Sequence, residues 1–313
     1  MQQSVLKLDA GPATIMPLVH VPLLKQAPQR DGEYKTLLDM GLDLCHFYGD
    51  FSGFHIYFIA SAYRQRIVAD SLDYVDPANG VFHVTLAVTK DDGKEETVRV
   101  ECKAPLVTPT LAGLRFPERI SIAHFSPGTP DALRFHFDGA EAKFKFANNL
   151  VPFVPATQRA TPAGLFNLNI EYIGKAVGTD GAREVADRLG NGHSTESAIA
   201  NLFNHKKTNR ELFAILYKPG RLTSDTGKPE TAMSFELIID ALEKALIGIF
   251  QPAFNKQSLN FPNDSSETVH RLAQCGVAQL EIEIASPEDH GLIYSQDMVD
   301  PIARMTRRMR IQV

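Results

Sequence analysis

Apolar and polar residues alternate along two pairs of stretches in the first half of the chain. Val81–Thr89 and Thr97–Cys102 carry the first pair, with Asp92-Gly93 between them. Two-residue periodicity predicts half-buried strands, and Asp-Gly between such runs predicts a tight hairpin. Leu133–Phe137 and Lys143–Phe146 repeat the arrangement around Asp138-Gly139, with phenylalanines on one face and Arg, His or Lys on the other. The prolines between Pro105 and Pro130 predict loops and sheet edges. Residues 1–150 are therefore read as a β-rich domain whose function the pattern does not reveal.

The periodicity changes after Asn148. Pro152, Pro155 and Pro162 predict a linker or irregular edge, and strands and helices then alternate. Leu168–Ile173 and Leu212–Tyr217 read as strands. Glu184–Leu189 reads as a helix, as does a segment capped by Ser194 or Thr195 and running to His205. Lys218–Glu230 reads as a polar loop. Ala232–Phe250 is the strongest helix, with apolar residues at 235, 238, 239, 242, 245, 246 and 249, and Pro252 stops it. Ser265–Cys275 predicts a further helix closed by Gly276, and Leu280, Ile282 and Ile284 alternate with glutamates as a strand. Arg304, Arg307, Arg308 and Arg310 form a basic tail. The expected fold class is α+β: a β-rich domain over 1–150, a small α/β domain over 151–256, and a helix–strand extension over 257–313.

Charge narrows the partners. With 32 basic and 37 acidic residues the net charge is −5, which argues against a whole-chain polyanion coat. Residues 164–256 hold eleven basic and eleven acidic side chains, so a nucleic-acid contact there is expected to be concentrated in one groove. Cys45, Cys102 and Cys275 are odd in number and far apart, which fits free thiols rather than a disulfide framework. The N-terminus does not read as a signal peptide, and no apolar run reaches membrane-spanning length. A cytoplasmic protein without membrane contact is the expectation. The aromatic-rich stretch Phe47, Tyr48, Phe51, Phe54, Tyr57, Phe58 and Tyr63 can stack bases, but core packing is the expected use.

One order of parts carries chemistry. A strand ends in Glu171-Tyr172-Ile173-Gly174-Lys175-Ala176. Arg183, Arg188-Leu189 and His193 follow. The long helix then presents Leu242-Glu243-Lys244-Ala245-Leu246-Ile247, and its exit reads Gln251-Pro252-Ala253-Phe254-Asn255. Over residues 151–256 these pieces resemble the GIY-YIG nuclease family, including the nuclease module of the bacterial excision-repair endonuclease. The resemblance implies a metal-dependent endonuclease that hydrolyses phosphodiester bonds in DNA, with RNA as the alternative polymer.

The residue chemistry is compatible with that implication. Glu243 on a helix face can hold one Mg2+ or Mn2+ while waters complete the shell. Arg188 offers a permanently charged fork to phosphate oxygens. Tyr172 needs a nearby cation to work in proton transfer, and Lys175 can supply it. Gly174 permits close backbone approach. His193 is expected to assist catalysis. Asn255 and Arg183 are expected to bind substrate, with Arg183 an alternative to Arg188 as the phosphate arginine. The chain departs from the family upstream of Tyr172. Where the first tyrosine-bearing strand is expected, the sequence reads Thr161-Pro162-Ala163-Gly164-Leu165-Phe166, with no tyrosine. A first strand near Val151–Val154 with an enlarged turn is one solution. The other class of reading is a catalytically degenerate GIY-YIG-like module that binds nucleic acid or protein.

Overall fold

A computed structural model describes residues 4–18, 53–104, 116–123, 132–137, 140–145, 166–177, 185–189, 194–207, 209–220, 223–224, 233–264, 266–287, 291–298 and 300–311. Its first two strands, β1 (Ser4–Asp9) and β2 (Ala13–Pro17), join different sheets. The next described strand is β3 (Ile56–Tyr63), buried at every residue but its last, and β4 (Gln65–Ile67) follows after Arg64.

The alternating stretches fold as hairpins. β5 (Asp73–Asp76) and β4 both pair with one edge of β6 (Val81–Thr89). β7 (Glu95–Lys103) pairs along the other edge from Val81↔Lys103 to Thr89↔Glu95. Gly93 closes the β6–β7 turn at φ +80°, a region glycine reaches without strain. β8 (Arg119–Ala123), β9 (Ala132–Phe137) and β10 (Ala140–Lys145) make an antiparallel sheet in the order β10-β9-β8. Phe82, Val84, Leu86, Val100, Ile120, Leu133 and Phe135 join these two sheets in one core.

The remaining elements assemble around β3. β11 (Leu168–Lys175) and β12 (Arg210–Tyr217) flank β3 antiparallel. β2 adds at one edge, and β15 (Ile293–Tyr294) covers only Leu168 and Asn169 at the other. Between β11 and β12 lie α1 (Val185–Leu189) and α2 (Ser194–His205), whose Val185, Leu189, Ile199 and Phe203 pack on one face of the sheet with Tyr57 and Ile59. The other face receives α3 (Phe235–Phe250). Ser234 caps α3 by accepting a hydrogen bond from the Leu237 N–H at 3.2 Å, so it starts three residues after the expected Ala232.

α3 is buried on both sides. Beyond it lies a second sheet in the order β13-β1-β14-β16, made with β13 (Thr223–Ser224), β14 (Val277–Ala285) and β16 (Arg304–Arg310). α4 (Glu267–Gln274) packs beside α3 in the same core as Leu6, Leu8, Leu280, Ile282 and Ile284. The fold is α+β and β-rich, as the patterning predicts. The expected basic tail is a strand. Met305 and Met309 pack on the core while Arg304 and Arg308 pair with Glu283 and Glu281 of β14.

The spatial grouping cuts across the sequence ranges. β2 and β3, from residues 1–150, share one sheet with β11 and β12, while β1 pairs in parallel with β14 from residues 257–313. The two sheets over residues 65–145 are thus an insertion between neighbouring strands of the core sheet. Among the described residues no helix is long and apolar enough to cross a membrane.

Candidate functional site

Among the described residues the strand beside Tyr172 is β3; Val151–Val154 lie outside them. Register brings Tyr172 opposite Ile59 and Gly174 opposite Tyr57. Between Ile170, which faces Ala60, and Tyr172, which faces Ile59, β11 holds one residue more than β3. Glu171 is that bulged residue. Side chains alternate along a strand, so an unbulged register would turn Tyr172 to the α3 face beside Phe58. With the bulge, Tyr172 shares the face of Tyr57, and the two rings lie 6.1 Å apart between centroids at 44°.

Glu171 is held on the same face of the sheet, farther along the strands, by Ser61 and Asn169. It is 2% exposed, and its Oε1 accepts hydrogen bonds from Ser61 Oγ and Asn169 Nδ2, each at 2.7 Å. Arg210 donates to the same Ser61 Oγ at 3.2 Å.

Tyr57 is completely buried, and among the described residues its hydroxyl meets no partner in strict hydrogen-bond geometry. Burial pushes that hydroxyl above the ordinary tyrosine range and Tyr172 adds to the shift, while Arg188 opposes it. Burial also raises Tyr172, helped by the charge of Glu243 and opposed by Tyr57 and Arg188. Both phenols are therefore neutral near neutral pH. Gly174 has its own reason to be glycine. A Cβ there would come within 2.5 Å of both Cζ and Oη of Tyr57.

Among the described residues β15 pairs with β11 only at Leu168 and Asn169, which leaves the outer edge of β11 from Glu171 onward to other segments. The segment leaving α3 closes it. Phe254 N–H donates to Glu171 O at 3.0 Å, while Asn255 Nδ2 donates to Ile173 O and its Oδ1 accepts from Ile173 N–H, both at 2.9 Å. The Asn255 amide thus imitates a neighbouring strand. Its polar atoms are engaged by the backbone rather than turned outward to substrate.

A cleft of about 640 Å3 lies along this edge, between α2 and α3. Tyr172, Lys175, Thr195, Asp240, Glu243 and Lys256 are among its walls. Lys175 Nζ sits between the two carboxylates of α3, hydrogen-bonded to Asp240 Oδ1 and 3.3 Å from Glu243 Oε2. Asp240 is the hub. Its other oxygen accepts from Thr268 Oγ1 and lies 3.1 Å from Lys244 Nζ. Burial raises the Glu243 carboxyl above the ordinary carboxylate range, and Lys175 partly offsets this. Burial would lower Lys175, yet Glu243 and Asp240 leave it raised. For Asp240, burial pushes upward, but Lys175 and Thr268 leave it lowered.

The structure therefore gathers Tyr172, Gly174, Lys175, Glu243 and Asn255 at one edge, with Arg188 acting on both phenols. Arg183 and His193 lie outside the described residues. Sequence reasoning missed Tyr57. It counted the residue among core aromatics, and the core does bury it, but the Ile56-Tyr57 pair at a strand start was the available signal. It also missed Asp240, three residues before Glu243 on the same helix face.

The donor set suits a divalent ion of the magnesium type. Such an ion takes one or two carboxylates and keeps its waters, and Glu243 reaches a roomy cleft beside a second carboxylate, where the Lys175 ammonium already stands as a cation. Among the described residues no group of three His, Cys, Asp or Glu converges. No protein-family model, curated protein or solved structure matches the chain.

Proposed function

We propose that the chain is a metal-dependent endonuclease of GIY-YIG type, acting on DNA. The observation that carries this reading is the pair Tyr57 and Tyr172 on one sheet face, with Arg188 beside both and Glu243 across the cleft edge. Tyr57 supplies the phenol whose absence just upstream of Tyr172 weakened the resemblance.

A Mg2+ or Mn2+ held by Glu243 would acidify a coordinated water and neutralise phosphate charge. The protein's own groups do the rest. Arg188 offers its guanidinium to the phosphate oxygens, where charge accumulates in the transition state. The neutral phenol of Tyr172, which lines the cleft, can accept a hydrogen bond from the attacking water while donating onward, and the Tyr57 hydroxyl, buried behind it, acts on Tyr172 rather than on the water. Lys175 pairs with Glu243 until a metal takes its place. Asn255 and Gly174 fix the strand end on which this geometry depends.

The second reading, a non-catalytic nucleic-acid-binding module, draws on the engagement of Glu243 by Lys175. Nicking of supercoiled plasmid in Mg2+ or Mn2+ separates the two. Wild type is expected to nick, whereas Glu243→Gln and Tyr57→Phe are expected to lose most of that activity. Equal cutting by all three proteins overturns the assignment. Gel shifts without cutting by any of them favour the binding module.

A further inference from the structure

We infer that Asp240 and Lys175 form a cation relay that sets how tightly the site takes its metal. In it Lys175 Nζ competes with the metal for Glu243, and Asp240 is the position to which the ammonium retires. The inference rests on the reading of Glu243 as the metal-holding carboxylate.

The geometry has three parts. Lys175 reaches both carboxylates at once, because Asp240 and Glu243 are three residues apart on α3 and present neighbouring faces to the end of β11. Asp240 is fixed independently of Lys175, since Thr268 Oγ1 of α4 and Lys244 Nζ hold its second oxygen. Among the described residues Glu243 has no such second anchor: Asp240 and Lys244 act on it through space. An ammonium shared between an anchored carboxylate and an unanchored one retreats to the anchored one when a dication arrives, because the like charges repel at close range in a partly buried site.

Asp240 thus favours metal binding without touching the metal. Removing its charge leaves Lys175 with Glu243 as its only full counter-charge, so the metal must displace a tighter ion pair. Removing the ammonium removes that competitor for Glu243. Asp240 is a positioning residue, and its effect passes through Lys175.

The test is Mn2+ binding to the full chain, read by the loss of free-ion signal in electron paramagnetic resonance and by titration calorimetry, with no cleavage involved. Asp240→Asn is expected to weaken Mn2+ binding roughly tenfold and Lys175→Met to tighten it by a similar factor, the scale typical of residues just outside a metal's own ligands. The double variant is expected to bind like Lys175→Met alone. If Asp240→Asn weakens binding equally in both backgrounds, Asp240 acts on the metal directly and the relay is overturned. If Lys175→Met does not tighten binding, the competition is overturned. Circular dichroism melts verify that each variant is folded, and Asp240→Ala, which also removes the charge, serves where Asp240→Asn is not. Glu243→Gln separates the two levels of the argument. Mn2+ binding that is absent from wild type, or insensitive to Glu243→Gln, removes both the metal site and the relay. Binding that needs Glu243 but ignores Lys175 removes the relay alone.

Discussion

Tyr57 and Tyr172 lie on the same face of the core sheet, 6.1 Å apart between ring centroids, although their strands meet only across a long insertion. The Tyr57 hydroxyl is buried without a partner in strict geometry among the described residues. Deleting an unsatisfied buried hydroxyl is neutral or stabilising for a fold. Tyr57→Phe is therefore expected to leave thermal stability unchanged or slightly raised while nicking activity falls on the order of 100-fold or more. Denaturation and plasmid nicking on the same preparation check the pair of outcomes. A parallel loss of both would make Tyr57 a structural residue only.

Glu171 has a different task, farther along the same face. Its carboxylate is the shared acceptor for Ser61 and Asn169. Glu171→Ala leaves those buried donors unmatched and is expected to cost about 1–3 kcal/mol of stability. Glu171→Gln keeps an acceptor oxygen and is expected to cost less. Urea unfolding of the two variants gives the comparison.

Gly174→Ala puts a methyl group against the Tyr57 ring. Overpacking of this kind is expected to cost about 1–3 kcal/mol. In a Tyr57→Leu background the ring atoms in question are gone, so most of that penalty is expected to disappear. A double-mutant cycle from denaturant melts measures the coupling.

Asp91, in the β6–β7 turn, joins the insertion to the core sheet. Arg210 bonds it through two nitrogens at 2.6 and 3.2 Å, and Asn209 and Tyr63 bond it at 3.1 and 3.2 Å. Arg210 above all holds its carboxyl down at about 2. A depressed carboxyl stabilises the folded state above its unfolded pKa near 3.8, and that contribution is lost as pH falls toward 2. Melting temperature is expected to drop more steeply across this window in wild type than in Asp91→Asn. Parallel slopes would mean that the contact contributes nothing.

Asn255→Ala removes both hydrogen bonds to Ile173. The expected cost is about 1–2 kcal/mol, because the freed backbone groups at this edge can still find water. Asn255→Asp retains the acceptor, loses the donor and sets a charge against the Ile173 carbonyl, so it is expected to be no better than alanine. Amide exchange at Ile173, measured by NMR, is expected to accelerate in both.

Local patterning carried the hairpin at 81–103, the helix α2 ending at His205 and the long α3, because each is written in nearby residues. The pairing of β3 with β11 was not legible. Ile56–Tyr63 is buried on both faces, so it shows neither alternation nor a hint of which strand lies beside it. The turn expected just before Tyr172 presumed that neighbours in space are neighbours in sequence, and here an insertion separates them. Arg304–Arg310 misled for a related reason. Four arginines hide two methionines that face the core, and the glutamates that make this strand tolerable are on β14. At the site, residue types on β11 and α3 were readable one by one, but the bulge that aims Tyr172 depends on register, which no single strand encodes.

The insertion also imposes an order on assembly. Ser61 and Glu171 are hydrogen-bonded across 110 residues of chain, so the central pair of strands is a long-range contact of the kind that slows folding. The two inserted sheets have an apolar core of their own and can form first, drawing the ends of β3 and β11 together and shortening the effective loop that must close. Refolding of the wild-type chain is then expected to begin in the insertion, with Tyr57 and Tyr172 meeting last. A spliced chain that joins Tyr63 to Asn167 through a short turn would zip the same two strands as a simple hairpin and fold faster, even if the remaining contacts were untouched.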